Sequence, residues 1–410
     1  MRVRLNIAFL PMLAVLLIGL PFDVWANEAT SSSAPTEIGI TQFHQSINAL
    51  ESTHGALDYR LAEQFLSLGL AHRANGEQTE AVAALRQALH VNRINKGLHH
   101  LMHVPIVDLL IDSYANLENW TAVERQHRYR YWIHRRELDE NSDEFVDSAM
   151  VFSAWETHAY DLDTGVPAFR QLREAQDALG AALTTVNANQ GDADPRLIRI
   201  LNLQAMANLN LAIHISSTEV DPVTGGPVQG QTVADAISRR NLILESFIRG
   251  KTALEQVVRL SEAEALPIRH GLALANLADW ELIFDRAHSS TRNYRRAYEL
   301  LESAGLSTEE LALEFEEPRE MTQFTLRRRT HDEAPAISND VAYVMASFTV
   351  TLTGHVRNVK VVEAHPAGND RMIRKARAAL RDARFRPRIK GEGPVEAPAT
   401  IRYIFPDVSI

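Results

Sequence analysis

Residues 342–362 read AYVMASFTVTLTGHVRNVKVV, and their pattern predicts a β-structure for the C-terminal part of the chain. Small and apolar residues occupy the even positions from 342 to 352, which is the period of a half-buried β-strand. Thr353, Gly354 and His355 predict a turn. Residues 356–362 predict a second strand, so the two strands are expected to form a hairpin.

A helix and a third strand are predicted after this hairpin. Residues 370–384 have the helical period, with small and apolar side chains along one face and basic side chains on the other. The apolar stripe consists of Met372, Ala376, Ala379, Leu380 and Ala383. Residues 389–398 predict a polar loop, and residues 399–405 predict the last strand. Residues 341–410 are therefore expected to form a small α+β domain with the order β-β-α-β.

Helical periodicity dominates the region before this domain, residues 40–312, and one stretch resembles a known repeat. Residues 62–95 have the spacing of the tetratricopeptide repeat (TPR), a helix-turn-helix unit of about 34 residues. The matching residues are Phe65, Leu68, Gly69, His72, Gly76, Ala81, Leu85 and Ala88. Gly69 and Ala81 are small enough to let two antiparallel helices approach closely, and Gly76 permits the turn between them.

Weaker copies of this pattern cover residues 104–137 and 271–304. Three other stretches, 144–180, 194–217 and 233–260, each predict a long amphipathic helix without a repeat signature. Residues 221–232 predict a loop rich in Gly and Pro. Stacked helix pairs form a curved array with a concave surface. The expected fold class is therefore mainly α, a TPR-like array followed by the small α+β domain.

Two further segments are expected to lie outside these domains. Residues 313–340 are charged, and Pro318 and Pro335 interrupt any helix, so this stretch predicts a linker. Residues 1–26 have the pattern of an export signal, with a basic start and an apolar run from Ile7 to Leu20. That run is shorter than the roughly 20 residues that span a bilayer, so cleavage after Ala26 is expected, with an uncleaved anchor as the alternative.

Composition excludes several kinds of function. The chain of 410 residues has no cysteine, so disulfides, thiolate nucleophiles and cysteine-ligated metals are excluded. Formal net charge is −10 overall, but it is +6 over residues 341–410 and −16 over the rest. This asymmetry suggests different partners for the two parts. Nucleophile-elbow and Walker motifs are lacking, so an enzyme is not expected, and no cofactor is predicted.

Residues across the C-terminal domain resemble the C-terminal domain of the TonB family. The matching positions are Val350, Gly354, Val356, Val359, Val361, Pro366, Ala376, Ala379, Leu380, Arg384, Phe385, Pro387, Gly393, Pro394, Val395, Arg402 and Phe405. In that family an extended peptide of an outer-membrane receptor is added beside the final strand. The resemblance therefore implies partner binding along the edge of the last strand. The residues expected to form this site are Ala399, Ile401, Arg402, Tyr403 and Phe405, with Ile401, Tyr403 and Phe405 on one face and Arg402 on the other.

The resemblance leaves three functions open. The leading interpretation is a periplasmic adaptor that binds envelope proteins, chiefly an outer-membrane receptor or a TonB-box-like peptide. A TonB-type energy transducer is the first alternative, and it requires an inner-membrane anchor that engages the motor complex. The run Ile7–Leu20 lacks the Ser and His of that anchor, and a helical body replaces the family's Pro-rich spacer. A structural protein that binds peptidoglycan is the second alternative.

Three other clusters admit two interpretations each. His99 and His103 lie four residues apart and could share a metal, but structural histidines are the expected role, and no metal site is predicted. Nine Lys and Arg residues at 371–390 suggest a solvated helix face or contact with an acidic partner, and export argues against nucleic acid. The four tryptophans that could line a ligand groove are expected to pack between helices instead. They are Trp120, Trp132, Trp155 and Trp280.

Overall fold

A computed structural model describes residues 37–160, 162, 164–217, 233–322 and 342–405 of the chain. The predicted export signal at 1–26, the Gly/Pro-rich loop at 221–232 and residues 323–340 of the predicted linker lie outside these residues. The described residues form two compact units, one that ends at Asp194 and one that starts at Pro195. No helix within the described ranges is long and apolar enough to cross a membrane.

The described residues of the first unit form seven α-helices and two short 3-10 turns. The helices are α1 (Glu37–His54), α2 (Arg60–Ala74), α3 (Gln78–Lys96), α4 (Val104–Asn116), α5 (Trp120–Glu137), α6 (Asp143–Ala159) and α7 (Ala168–Asn189). The 3-10 turns are Leu101–His103 and Gly191–Ala193. Helices α2/α3, α4/α5 and α6/α7 pack as consecutive pairs. This arrangement confirms the predicted TPR-like array, including the two units expected at 62–95 and 104–137.

Small residues set the spacing of the α2/α3 pair, as the sequence predicted. A Cβ atom on Gly69 would lie only 2.8 Å from Cγ of Leu85, so glycine lets the two helices touch. Ala81 and Leu85 are fully buried at the same contact. Gly76 has a φ of 79°, a left-handed conformation that glycine adopts without strain, and it permits the turn.

The long helix predicted over residues 144–180 is wrong, because two helices occupy this stretch. Helix α6 ends at Ala159 and α7 begins at Ala168. Gly165 has a φ of 75°, and Pro167 stands at the N-cap of α7, so both residues act as breaks between the helices. The two helices then pack against each other as a third TPR-like pair.

The second unit begins with two further helix pairs and a short helix. These helices are α8 (Leu197–Ser217), α9 (Val233–Ala263), α10 (Pro267–Ile283), α11 (Ala287–Ser303) and α12 (Thr308–Phe315). In the α10/α11 pair, a Cβ on Gly271 would lie 2.5 Å from Cγ of Leu301, which repeats the contact of Gly69 with Leu85. A Cβ on Gly250 of α9 would lie 2.2 Å from the ring of Trp280 in α10. The predicted unit at 271–304 is therefore confirmed.

The C-terminal domain of this unit has seven strands and one helix within the described residues. The strands are β1 (Arg319–Thr322), β2 (Ala342–Val350), β3 (Val356–His365), β4 (Arg384–Arg386), β5 (Arg388–Lys390), β6 (Gly393–Val395) and β7 (Ala397–Phe405). Helix α13 (Asp370–Asp382) lies between β3 and β4 in the chain. The main sheet has the antiparallel order β3-β2-β7, while β1/β4 and β5/β6 form two-stranded pairs.

The predicted β-β-α-β order is confirmed for the main sheet and α13, but three short stretches differ from prediction. Strand β1 lies inside the stretch predicted as a linker, because Arg319 and Glu320 pair with Arg386 and Phe385. Strand β4 begins at Arg384, the last residue of the predicted helix. Strands β5 and β6 occupy half of the predicted polar loop, where Ile389 pairs with Pro394.

Alternating side chains build the core of the domain between the sheet and α13. The even positions of β2 are all buried, as the period of two predicted. The apolar stripe of α13 packs on them, and all five predicted stripe residues are buried. Asn369 caps the start of α13 by accepting a hydrogen bond from the backbone N–H of Met372 at 3.2 Å. This core holds β7 in a fixed position against β2.

Candidate functional site

Strand β7 lies at one edge of the main sheet, and β2 is its only partner strand within the described residues. Nine consecutive residue pairs join the two strands without a bulge, from Ala342↔Phe405 to Val350↔Ala397. In an antiparallel pair, alternate residues direct their backbone N–H and C=O groups away from the partner strand. The outer side of β7 therefore carries backbone groups that can pair with another strand.

Side chains of the five predicted site residues take two different positions. Ile401, Tyr403 and Phe405 are buried in the domain core, so they fix the strand rather than reach outward. Ala399 and Arg402 are half-buried. The guanidinium of Arg402 lies over the ring of Tyr343 on β2, 4.3 Å from its centroid. What β7 offers a partner is therefore its backbone edge and the face that carries Arg402.

Tyr403 has its hydroxyl in the interior of the unit. Burial raises the pKa of this phenol, and the nearby carboxylate of Glu320 on β1 adds to the effect. On the opposite face of the sheet, Tyr343 donates a hydrogen bond to Glu363, which raises the pKa of Tyr343. Both tyrosines stay neutral at physiological pH. Tyr403 acts as a packing group, and Tyr343 also acts as a hydrogen-bond donor.

The other edge of the sheet, strand β3, differs from β7. Its pairing with β2 is interrupted at two places, between Met345 and Ala346 and between Ser347 and Thr349. Asn358 has a φ of 56°, and Val362 is 60% exposed. Bulges twist an edge and disturb its hydrogen-bonding groups, which disfavours addition of a strand. The regular edge of the sheet is therefore β7.

The motif residues around Gly354 and Arg384 hold the hairpin to the rest of the unit. Gly354 has a φ of 73°, and its carbonyl accepts a hydrogen bond from the N–H of Phe385 at 3.0 Å. A Cβ on Gly354 would lie 2.5 Å from the carbonyl oxygen of Phe385 and 3.1 Å from Cδ2 of Leu282 in α10. Glycine is needed here both for its backbone conformation and for this close approach.

Arg386 has a role that its sequence neighbourhood does not indicate. It is one of the nine cations at 371–390, yet it is only 1% exposed and bonded to Asp279 of α10 and Glu314 of α12. Arg384 bonds Asp285, and Arg388 donates to the carbonyl oxygen of Glu316. A solvated face is therefore wrong for these three arginines. The cations exposed on α13 are Arg371, Arg374, Lys375, Arg377 and Arg381.

The histidine and tryptophan clusters are engaged in packing. His103 is buried with Nδ1 2.9 Å from the hydroxyl of Tyr129. The ring of His99 lies 3.7 Å from the centroid of Trp132. Trp280 is buried as predicted, but Trp132 is 44% exposed, so the prediction of an inter-helix core position is wrong for it. Trp132 lies at the outer surface of α5, where His99 covers part of its ring.

Comparison with protein-family models identifies the C-terminal domain. Residues 337–405 match the family described as Gram-negative bacterial TonB protein C-terminal. The domain is of the TonB type. The match confirms the resemblance and includes β2, β3, α13 and β7. A TonB-type domain that follows a TPR-like array indicates a protein-interaction role in the cell envelope.

Comparisons with whole proteins add little to this identification. No curated protein matches the chain. Among solved structures, BtubC (BKLC) from P. vanneervenii is 13% identical with a TM-score of 0.36, and the match covers 66% of this chain and 91% of that one. A putative kinesin light chain with TPR-like repeats from Podosopora anserina is 13% identical with a TM-score of 0.38, covering 61% and 98%. Likenesses this distant carry no argument about function.

Proposed function

We propose that this protein is a non-enzymatic adaptor of the periplasm, and that its TonB-type domain binds an extended segment of an envelope protein by adding it as a strand beside β7. The observation that carries the proposal is the contrast between the two sheet edges. Strand β7 has nine regular pairs with β2 and no second partner strand within the described residues, whereas β3 is bulged. An added strand would continue the sheet in the order β3-β2-β7-partner.

The energetics of such binding follow from the backbone. Each net hydrogen bond contributes about 0.5–1.5 kcal/mol, so several of them along β7 give useful affinity without any specific side chain. Selectivity would come from side chains on the accessible face. Arg402 offers a cation there, and the half-buried Ile404 next to it offers apolar surface.

The proposed partner is an outer-membrane receptor with a TonB-box-like segment. Two observations support this choice, namely the TonB-type domain at 337–405 and the export pattern at residues 1–26. The helical body would hold a second envelope partner, which makes the chain a bridge between two proteins. Because no catalytic motif stands in the sequence, binding is the proposed activity of both parts.

A cross-linking experiment tests the proposal, because the natural chain contains no cysteine. A single cysteine is introduced as Thr400→Cys on β7, and Val362→Cys on β3 serves as the matched control at the other edge. Both positions are exposed. A receptor-derived TonB-box-like peptide then carries one cysteine, which is moved along the peptide one residue at a time.

The expected result is disulfide formation with Thr400→Cys at alternate peptide positions, because side chains on an added strand alternate between the two faces of the sheet. Val362→Cys should form little disulfide with any peptide of the series. Equal cross-linking at both edges, or cross-linking without the period of two, would show that the peptide does not add as a strand at β7.

A further inference from the structure

A groove of about 890 Å³ opens on the unit that ends at Asp194, between helices α3, α4 and α5. Its lining includes Arg86 and Arg93 of α3, and Arg125 and Gln126 of α5. Apolar side chains of Leu89, Leu110 and Tyr114 form its buried part. No Asp or Glu is among the described residues that line it, although the unit as a whole is rich in acidic residues.

The three arginines give the groove a positive potential that the fold does not neutralise. Arg86 and Arg125 are exposed, and neither has a carboxylate partner among the described residues. Arg93 donates from Nε to the hydroxyl of Tyr129 at 3.0 Å, and its guanidinium lies 4.1 Å from the centroid of that ring. Unpaired arginines attract carboxylates, and they bind them with two parallel hydrogen bonds.

The wall of the groove is fixed in place before any ligand arrives. The hydroxyl of Tyr129 donates to the carbonyl oxygen of Leu98 at 2.9 Å and lies 2.9 Å from Nδ1 of His103. His103 is fully buried. Since Tyr129 and Arg93 are already ordered, a ligand would not have to immobilise them, and this lowers the entropic cost of binding.

Gln126 supplies an independent observation that points to a ligand. Its side chain is 8% exposed, and its Oε1 atom has no hydrogen-bond partner within the described part of the chain. A buried acceptor without a donor is costly, so such atoms are rare in folded proteins. Gln126 lines the groove, so a rotation of its amide toward the opening would let a peptide backbone N–H satisfy this carbonyl oxygen.

Spacing along α3 distinguishes a peptide from a small anion. Arg86 and Arg93 are seven residues apart, which corresponds to about 10 Å along a helix. A single phosphate is much smaller than this spacing. A chain in the extended polyproline II conformation advances about 3.1 Å per residue and returns to the same face every third residue, so acidic side chains three residues apart would match the two arginines.

We propose that this groove binds an extended acidic peptide segment of a partner protein, with carboxylates on Arg86, Arg93 and Arg125 and a backbone N–H on Gln126. This inference rests on the adaptor function proposed above, and it assigns a ligand class to the helical part. The occupant is recognised by its charge and its extended backbone. The partner at β7 is recognised mainly through its backbone.

The test measures the affinity of the full chain for a fluorescent peptide that has a glutamate at every third position. A peptide with lysines in place of the glutamates is the ligand control. The double variant Arg86→Glu with Arg125→Glu should bind the acidic peptide at least about tenfold more weakly. Arg136→Glu is the protein control. Arg136 is an exposed arginine of α5, like Arg125, but it lies outside the groove, so this variant should bind the acidic peptide as the natural chain does.

Gln126→Met guards against loss of affinity through misfolding. It keeps the side-chain volume and removes the unpartnered carbonyl, so it should raise the melting temperature while it weakens peptide binding. Failure of the natural chain to prefer the acidic peptide, or an equal loss in Arg136→Glu, would overturn the proposal. So would full competition by inorganic pyrophosphate at matched charge, which would indicate a small-anion site. Cross-linking at Thr400→Cys is independent of the groove, so the two proposals can fail separately.

Discussion

The guanidinium of Arg386 donates a hydrogen bond from Nε to Oδ1 of Asp279 at 2.8 Å, and both side chains are buried. Asp279 belongs to α10, whereas Arg386 ends β4 of the TonB-type domain. A second nitrogen of Arg386 bonds the other oxygen of Asp279, and a third contact goes to Glu314. The last helix pair and the TonB-type domain therefore share a buried polar centre, and each completes the other.

Replacing Arg386 by methionine should destabilise the second unit by about 3–5 kcal/mol, because it leaves the buried carboxylate of Asp279 without its counter-charge. Hydrogen exchange of α10 and β4 in the full chain measures the effect. Arg381→Met is the control, since Arg381 is an exposed arginine of α13, and it should change stability by less than about 0.5 kcal/mol. Equal effects of the two substitutions would contradict a structural role for the pair.

Adding one methyl group at Gly250 or Gly271 should lower stability by about 1–3 kcal/mol, because the new Cβ would overlap Trp280 or Leu301. Gly180 in α7 is the matched control. A Cβ there meets no atom within 4 Å, so Gly180→Ala should stabilise its helix by roughly 0.5–1 kcal/mol. Thermal unfolding of the three alanine variants provides the comparison, and destabilisation by Gly180→Ala would speak against the packing argument.

Glu156 should contribute a loss of stability of the first unit as pH rises above about 4.5. Burial raises the pKa of this carboxyl, and the adjacent Glu124 raises it further, although Arg128 lies close to both. The folded chain thus keeps a proton that the unfolded chain releases, so unfolding becomes easier with increasing pH. Glu156→Gln should flatten this dependence, by on the order of 1 kcal/mol per pH unit.

Tryptophan fluorescence during urea unfolding measures this pH dependence. Three of the four tryptophans among the described residues lie in the first unit, so the signal reports mainly on it. Glu174→Gln is a useful comparison, because Glu174 also contacts Arg128 but is partly exposed. If the pH dependence survives in Glu156→Gln and disappears in Glu174→Gln, the assignment of the bound proton to Glu156 is wrong.

His127 should make the opposite contribution, a loss of stability of the first unit as pH falls below about 6.5, which offsets that of Glu156 where the two ranges overlap. Burial lowers the pKa of His127 to about 3, and Arg130 contributes to the shift. Its ring stacks on Trp155 with centroids 4.4 Å apart. Between pH 6.5 and about 3, only the unfolded chain binds the proton at His127, so unfolding is favoured. His127→Phe keeps the stacking on Trp155. On lowering the pH to 5, this variant should retain about 2 kcal/mol more of its free energy of unfolding than the natural chain does.

The sequence predicted those parts of the fold that depend on local patterns. Gly69, Gly76 and Leu85 mark the α2/α3 pair because close packing and a left-handed turn restrict these positions to few residue types. The alternation along β2 survives in the structure because one of its faces is buried. Helices α6 and α7 were joined in the prediction because apolar periodicity runs on through Gly165 and Pro167.

Features that depend on distant partners could not be predicted in the same way. Strand β1 is short, and it forms only because residues 384–386 lie beside it. Arg386 looks like one more cation in a basic stretch, and only Asp279, 107 positions away, reveals its role. For β7 the family resemblance indicated the strand, but not that Ile401, Tyr403 and Phe405 would be buried.

The uninterrupted pairing of β7 with β2 has a mechanical consequence. If a partner were added beside β7 and pulled along its own axis, the tension would act on the hydrogen bonds of the sheet in shear, so that many of them resist together. The same force would pass from the sheet through the contact of Gly354 with Phe385 and the Arg386–Asp279 pair into α10. A pulled partner would thus strain the helical body as well as the small domain that holds it.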